Sequence, residues 1–187
     1  MTRQKTADQF VNDALLKIGY DTSQKDDTRQ TPLRWIEAIG EFCQGVPDVE
    51  AIVKDGFETT KNPGMVVQSD IPFRMLCEHH LFPAFGKAYI GYIPHKKMIG
   101  LSKLARVVDA FGTAWPGTQE IITAQIGNAL KDVLECHAVA IVVRGQHTCM
   151  EVRGARVPGV VTTTSFITGL FLNAPQAKDE FIKLAGL

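Results

Sequence analysis

Cys77-Glu78-His79-His80 and, far down the chain, His147-Thr148-Cys149-Met150 carry the side chains best suited to chemistry. Cys77 and His80, three residues apart, can reach one point from a tight turn. Cys149 can join them once the fold brings the two segments together. Two thiolates and one imidazole form a borderline-soft donor set suited to Zn²⁺, and three protein ligands leave a fourth position open for water, as in catalytic sites. His79 and His147 then stand unligated beside the metal, where an imidazole can carry protons in either direction near neutral pH. Local chemistry alone leaves other readings open: a Cys77–Cys149 disulfide, a closed Cys₂His₂ structural zinc site using both adjacent histidines, or no metal.

The 187 residues suit one compact domain with an appendage, expected as an N-terminal helical region over 1–64 and a catalytic domain over 65–187. Lys and Arg total 20 and Asp and Glu total 20, which argues against a chain adapted as a whole to nucleic acid while allowing a local basic pocket. No apolar run approaches the ~20 residues a bilayer span needs. The opening Met1-Thr2-Arg3-Gln4-Lys5 lacks the apolar core of a signal peptide, so a reducing, cytoplasmic setting is expected. Cys43 and Cys136 lie in apolar-patterned segments and read as buried thiols.

The elements that must position these groups follow from periodicity and punctuation. Residues 6–18 predict a helix, with Thr6 and Gln9 in capping-box spacing and Gly19 as its stop. A second helix opens at Thr31-Pro32 and buries Trp35, Ile36, Ile39, Phe42 and Cys43 before Gly45. Residues 46–64 read as loop with a short helical piece. Residues 65–76 read as a strand that Pro72 confines to an edge or a bulge, and 85–93 as its partner. Ser102 is placed as the N-cap of a helix running to 111, with Lys103 and Arg106 forming either an anion site or a solvated face. A longer helix runs over 118–135, opened by Gln119 and Glu120, where a carboxylate suits the helix dipole. Residues 138–143 form a β-branched strand, 147–150 start or lie within the next one, 162–171 are extended, and 175–184 close the chain as a helix. The fold class is therefore α+β: an antiparallel four-stranded sheet in the order β-β-α-α-β-β, two helices on one face, and a helical N-terminal region.

Four strings in this order resemble the GTP cyclohydrolase I family: Cys-Glu-His-His at 77–80, Gly-Leu-Ser-Lys-Leu-Ala-Arg at 100–106, Gln-Glu-x-x-Thr-x-Gln-Ile at 119–126, and His-x-Cys-Met-x-x-Arg-Gly at 147–154. The likeness extends from Thr31-Pro32-x-Arg34 to the C-terminal Glu-Phe-x-x-Leu. It implies the tunnelling fold, a toroidal homodecamer with active sites at subunit interfaces, and conversion of GTP and water to formate and 7,8-dihydroneopterin triphosphate, with no nucleic-acid or membrane partner. By the same resemblance Cys77, His80 and Cys149 bind zinc, and His79, His147 and Ser102 are catalytic. Glu120 grips the guanine N1 and N2 edge with Gln119 beside it, and Lys103, Arg106, Arg153 and Arg34 hold the triphosphate. Three features depart from the family: Glu37 stands where a lysine is common; the stretch between Ser102 and Gln119 is one residue longer, with Trp115 where an arginine is common; and the N-terminal region is short. A related nitrile reductase of queuosine biosynthesis and a zinc-stabilised purine-binding module are the competing readings.

Overall fold

The computed structural model describes residues 5–54, 56–59 and 63–187, which cluster into two compact units that divide between Cys43 and Gln44. In the first, α1 (Ala7–Lys17) opens at Thr6, whose backbone N–H donates to Gln9 Oε1 at 3.0 Å, and Gly19 takes the left-handed φ of +85° just beyond its end. Short turns then lead to α2 (Thr31–Gly40), with Pro32 in its first turn. The expected continuation through Phe42 and Cys43 does not form. Their N–H groups reach back only three residues, to Ile39 and Gly40, so the chain leaves the helix in tight turns.

The second unit begins with α3 (Val49–Val53), capped by the Asp48 side chain, and β1 (Phe57–Glu58). The sheet-forming sequence follows: β2 (Val66–Leu76), β3 (Pro83–Ile93), β4 (Lys97–Met98), α4 (Leu101–Gly112), α5 (Gln119–Leu134), β5 (Ala138–His147), α6 (Thr148–Glu151), β6 (Val161–Ile167), α7 (Leu170–Asn173) and α8 (Pro175–Ala185). Strands β2-β3-β5-β6 form one antiparallel sheet, while β1 pairs with β4 apart from it. Pro72 lies on the edge strand β2, beyond a bulge between Gln68 and Ile71, where its missing N–H costs no ladder bond.

Alternation decides which side chains meet. Phe73, Met75, Ile90, Ile141 and Val143 point to the face covered by α4 and α5, where Leu104, Val107, Ile126 and Leu130 complete a buried core. Each such side chain contributes about 1.5–3 kcal/mol through burial. The other face is covered at one end by α7 and α8: Phe171 and Phe181 pack 5.6 Å apart over Tyr89, Ala138 and Ala140. The two-helix layer expected from the sequence is present, and the C-terminal helix adds a partial layer opposite.

Three local expectations differ. The N-cap of α4 is Gly100, in extended conformation, and Ser102 lies inside the first turn without a cap bond. Glycine is an adequate N-cap, so the helix starts where the chain permits, two residues earlier. His147 ends β5, but Thr148–Glu151 turns into α6 instead of continuing as strand. The last extended segment stops at Ile167, because Gly169 (φ +58°) turns the chain into α7.

Where α4 meets the edge strand, a Cβ on Gly112 would overlap the Arg74 carbonyl oxygen. Gly112→Ala should therefore destabilise the protein by about 1–3 kcal/mol as overpacking against backbone, outweighing the ~1 kcal/mol that alanine offers in a helix. Urea unfolding measures it, and an unchanged or raised midpoint would contradict this account of the contact.

Candidate metal centre and active-site cavity

Strand β3 assembles the site because it pairs with both strands that lead into it, the one before Cys77 and the one ending at His147. Leu76 faces Pro83 across β2–β3, and Ala84 faces His147 across β3–β5. Just past β2 the chain folds over: Cys77 N–H donates to Phe82 O at 3.0 Å, and Cys77 O accepts from Leu81 N–H at 2.8 Å. Leu81 closes this turn with φ +52°, an uncommon value for a branched side chain. A second tie comes from the α4–α5 connection. Gly117 N–H donates to Leu76 O at 2.9 Å, and Gly117 O accepts from Glu78 N–H at 3.1 Å. On the β5 side, Thr148 Oγ1 donates to Pro83 O at 2.6 Å and fixes the start of α6, which carries Cys149.

The ligand atoms of Cys77, His80 and Cys149 all lie within 4.8 Å of one another, the one such group among the described residues. Cys77 Sγ stands 3.8 Å from His80 Nδ1. With Zn–S near 2.3 Å and Zn–N near 2.0–2.1 Å, tetrahedral ligands sit roughly 3.6–3.8 Å apart, so the set fits such an ion. Its electrostatics fit as well. Burial and the adjacent Cys77 push the Cys149 thiol up, while Arg153 pulls it down. Two neighbouring thiols resist losing both protons unless a cation lies between them. All four cysteines are free, so no Cys77–Cys149 disulfide forms.

Around this group lies a cavity of about 270 Å³ lined also by His79, Gln119, Glu120 and His147. His79 Nδ1 is 3.8 Å from Cys77 Sγ, and its Nε2 is 3.8 Å from Glu78 Oε1. His147 is half-buried, and burial pushes its pKa down while the Glu120 carboxylate opposes the shift. Its Nε2 stands 3.0 Å from Gln119 Oε1. Thus seven sequence-predicted residues converge: Cys77, His79, His80, Gln119, Glu120, His147 and Cys149. Thr162 and Gly117, which no motif singled out, also line the cavity. Their types carry no signal, and only strand pairing and the turn bring them there.

The remaining predicted residues of this unit, Ser102, Lys103, Arg106 and Arg153, do not line this cavity. Ser102, Lys103 and Arg106 lie along the first turns of α4. Arg153 follows α6, close enough for its charge to act on Cys149. Arg34, in the N-terminal unit, donates from Nη1 to Asp27 O at 3.2 Å.

A four-stranded antiparallel sheet, backed by two helices and carrying at one end a Cys₂His group beside two further histidines, defines an α+β protein with a site that could hold a metal ion. The sequence profile of GTP cyclohydrolase I matches residues 7–186. A GTP cyclohydrolase 1 from Dehalococcoides mccartyi strain 195 is 37% identical over 187 residues, covering 98% of this chain and 97% of that protein. The Corynebacterium glutamicum GTP cyclohydrolase 1 is 38% identical over 183 residues, covering 97% and 92%. That of Campylobacter jejuni strain 81116 is 36% identical over 182 residues, covering 97% and 95%. Among solved structures, an archaeosine synthase QueF-Like in the apo form matches 58% of this chain and 97% of that one, at 15% identity and a TM-score of 0.48. This chain belongs to the GTP cyclohydrolase I family.

The donor geometry carries a direct expectation. Cys149→Ser should lose most of the bound metal after dialysis, because one thiolate of the three-ligand set is gone. Elemental analysis measures this, and full metal stoichiometry in the variant would remove Cys149 from the ligand set.

Proposed function

We propose that this protein converts GTP and water to 7,8-dihydroneopterin triphosphate and formate, with Zn²⁺ held by Cys77, His80 and Cys149. The reading is carried by the convergence of that donor group with His79, His147 and Glu120 on one cavity, in a chain of this family. Zinc so held supplies a Lewis acid that makes a nucleophile of water near neutral pH.

The chain's own residues do the rest. Opening a purine, releasing formate, rearranging the ribose and closing a new ring all require protons to be moved. His147 and His79, beside the metal group but outside it, are suited to give and take them. Glu120 accepts from the guanine N1–H and N2–H₂, two parallel donors that a carboxylate matches. Ser102 serves the ribose end, and Lys103, Arg106, Arg153 and Arg34 the triphosphate. Ser102, Lys103 and Arg106 do not line the cavity of their own chain, so on this reading neighbouring copies supply them, with Arg34 reaching in from a neighbour as the family resemblance implies. That requires a homo-oligomer with shared active sites, which we take to be the toroidal decamer. On this reading residues 65–187 form the catalytic domain and 1–64 the helical region preceding it. The working place is the cytoplasm, where free thiols persist, with neither nucleic acid nor membrane as partner. No described helix is long and apolar enough to cross a membrane.

Incubation of zinc-loaded protein with GTP, following formate and pterin absorbance together, tests the activity; absence of both products overturns it. His147→Ala should keep its zinc and lose about 10²–10⁴-fold in turnover, the usual contribution of an acid–base group. Loss of zinc from that variant would make His147 a ligand instead. Glu37 lies one turn from Arg34 on α2, where its carboxylate opposes a bound triphosphate. Replacing a repulsive charge with a charge-assisted contact is worth roughly 1.5–3 kcal/mol, or about 10–100-fold in affinity. Glu37→Lys should therefore lower KM for GTP by that factor with little change in kcat, since the phosphates do not react. A raised KM would show that Glu37 instead holds Arg34 ready for phosphate.

A further inference from the structure

Gln119 is the first residue of α5 and only 1% exposed, yet every polar atom of its side chain has a partner. Nε2 lies 3.1 Å from Val143 O, 3.0 Å from Thr162 O and 3.0 Å from Thr164 Oγ1. Oε1 lies 3.0 Å from His147 Nε2. Backbone carbonyls only accept, so the amide NH₂ faces Val143 and Thr162, and the amide oxygen faces the imidazole.

The hydroxyls give the same orientation. Thr123 Oγ1 donates to Gln119 O at 2.7 Å, so its single proton is committed. Thr164 Oγ1, 2.7 Å from Thr123 Oγ1, must then donate to it and turns a lone pair toward Gln119 Nε2, whose two hydrogens are shared among three acceptors. Since an amide oxygen has no proton to give, neutral His147 carries its proton on Nε2 and keeps Nδ1 as the basic nitrogen. Gly145 supplies an independent sign that this amide has a reserved place: a Cβ there would overlap Gln119 Oε1.

We propose that Gln119 is a positioning residue that locks His147 in the Nε2–H tautomer, so that His147 exchanges protons with the substrate through Nδ1. The substrate step rests on the GTP-converting function proposed above; the tautomer does not. This departs from the motif-based expectation that Gln119 touches guanine. Reaching the purine would strip the buried amide of bonds it already makes to Val143 O, Thr162 O or the imidazole.

Zinc-loaded protein labelled with ¹⁵N-histidine provides the test, with the His147 ring signals identified by their loss in His147→Ala. Wild type should show a protonated Nε2 and an unprotonated Nδ1, and Gln119→Met should mix the two tautomers. In steady state, Gln119→Met should lower kcat by about 10–100-fold, within the range of acid–base contributions, leaving zinc content intact and KM for GTP within about threefold. Introduced into His147→Ala, the same change should cost less than about twofold, because residues acting as one unit are not additive. A proton on Nδ1 in wild type overturns the proposal. So does a raised KM with kcat retained, or an undiminished loss in the double variant. If Gln119→Met does not fold, Gly145→Ala, which displaces the amide, is read by the same ring signals. If wild type releases no formate from GTP, the function proposed above falls, and the nitrogen signals still decide the tautomer.

Discussion

The site depends on the central strand β3 being paired on both sides in a single register. Neighbouring strands lie about 4.8 Å apart, so β2 and β5, flanking β3, are held roughly 10 Å from each other. The Cys77 turn and α6 cross that gap by bending back over the end of β3, one bonded to Phe82 O and the other to Pro83 O. Ten consecutive pairs from Ala84↔His147 to Ile93↔Ala138 fix the β3–β5 register. Slippage by one residue would turn every side chain of β5 to the opposite face, taking His147 from Gln119 and moving Cys149 off the metal group. The core beneath resists such slippage, because Val139, Ile141 and Val143 of β5 would all leave it.

A second layer of order comes from the start of α5. Gly117 joins the metal turn through two backbone bonds, and Gln119, two residues on, reaches across to β5 and β6. One short segment thereby ties the Cys77–His80 turn to His147. A buried amide with its bonds satisfied rigidifies its surroundings, whereas one with a missing bond destabilises them, so such a network tolerates little change. The left-handed backbone at Leu81 belongs to the same picture: the turn holds an unfavourable conformation because its neighbours bond it in place.

Charge completes the site. Burial and the neighbouring Cys77 raise the Cys149 thiol, and Arg153 offsets this only in part. A divalent cation is the natural partner for that set, since it stabilises both thiolates at once. Glu120 and His147 face the same cavity with opposing tendencies: the carboxylate favours a protonated imidazole, and burial disfavours it.

Much of this was legible in the chain itself. The donor types, the three-residue spacing of Cys77 and His80, the strand–strand–helix–helix–strand–strand order and the edge position of Pro72 follow from local rules, because periodicity, turn residues and ligand chemistry act over a few positions. The four motifs made the family recognisable. Local rules failed where alternatives differed by little: the cap of α4 at Gly100 instead of Ser102, the end of α2 at Gly40, and the helical turn at Thr148–Glu151. What only the tertiary structure decided is who meets whom. The sequence marked Gln119 as a neighbour of Glu120 on one helix. The sheet showed its side chain buried against Val143, Thr162 and Thr164 and bonded to His147. Pairing between strands distant in sequence determines such contacts, and no spacing along the chain encodes which carbonyl will face which amide.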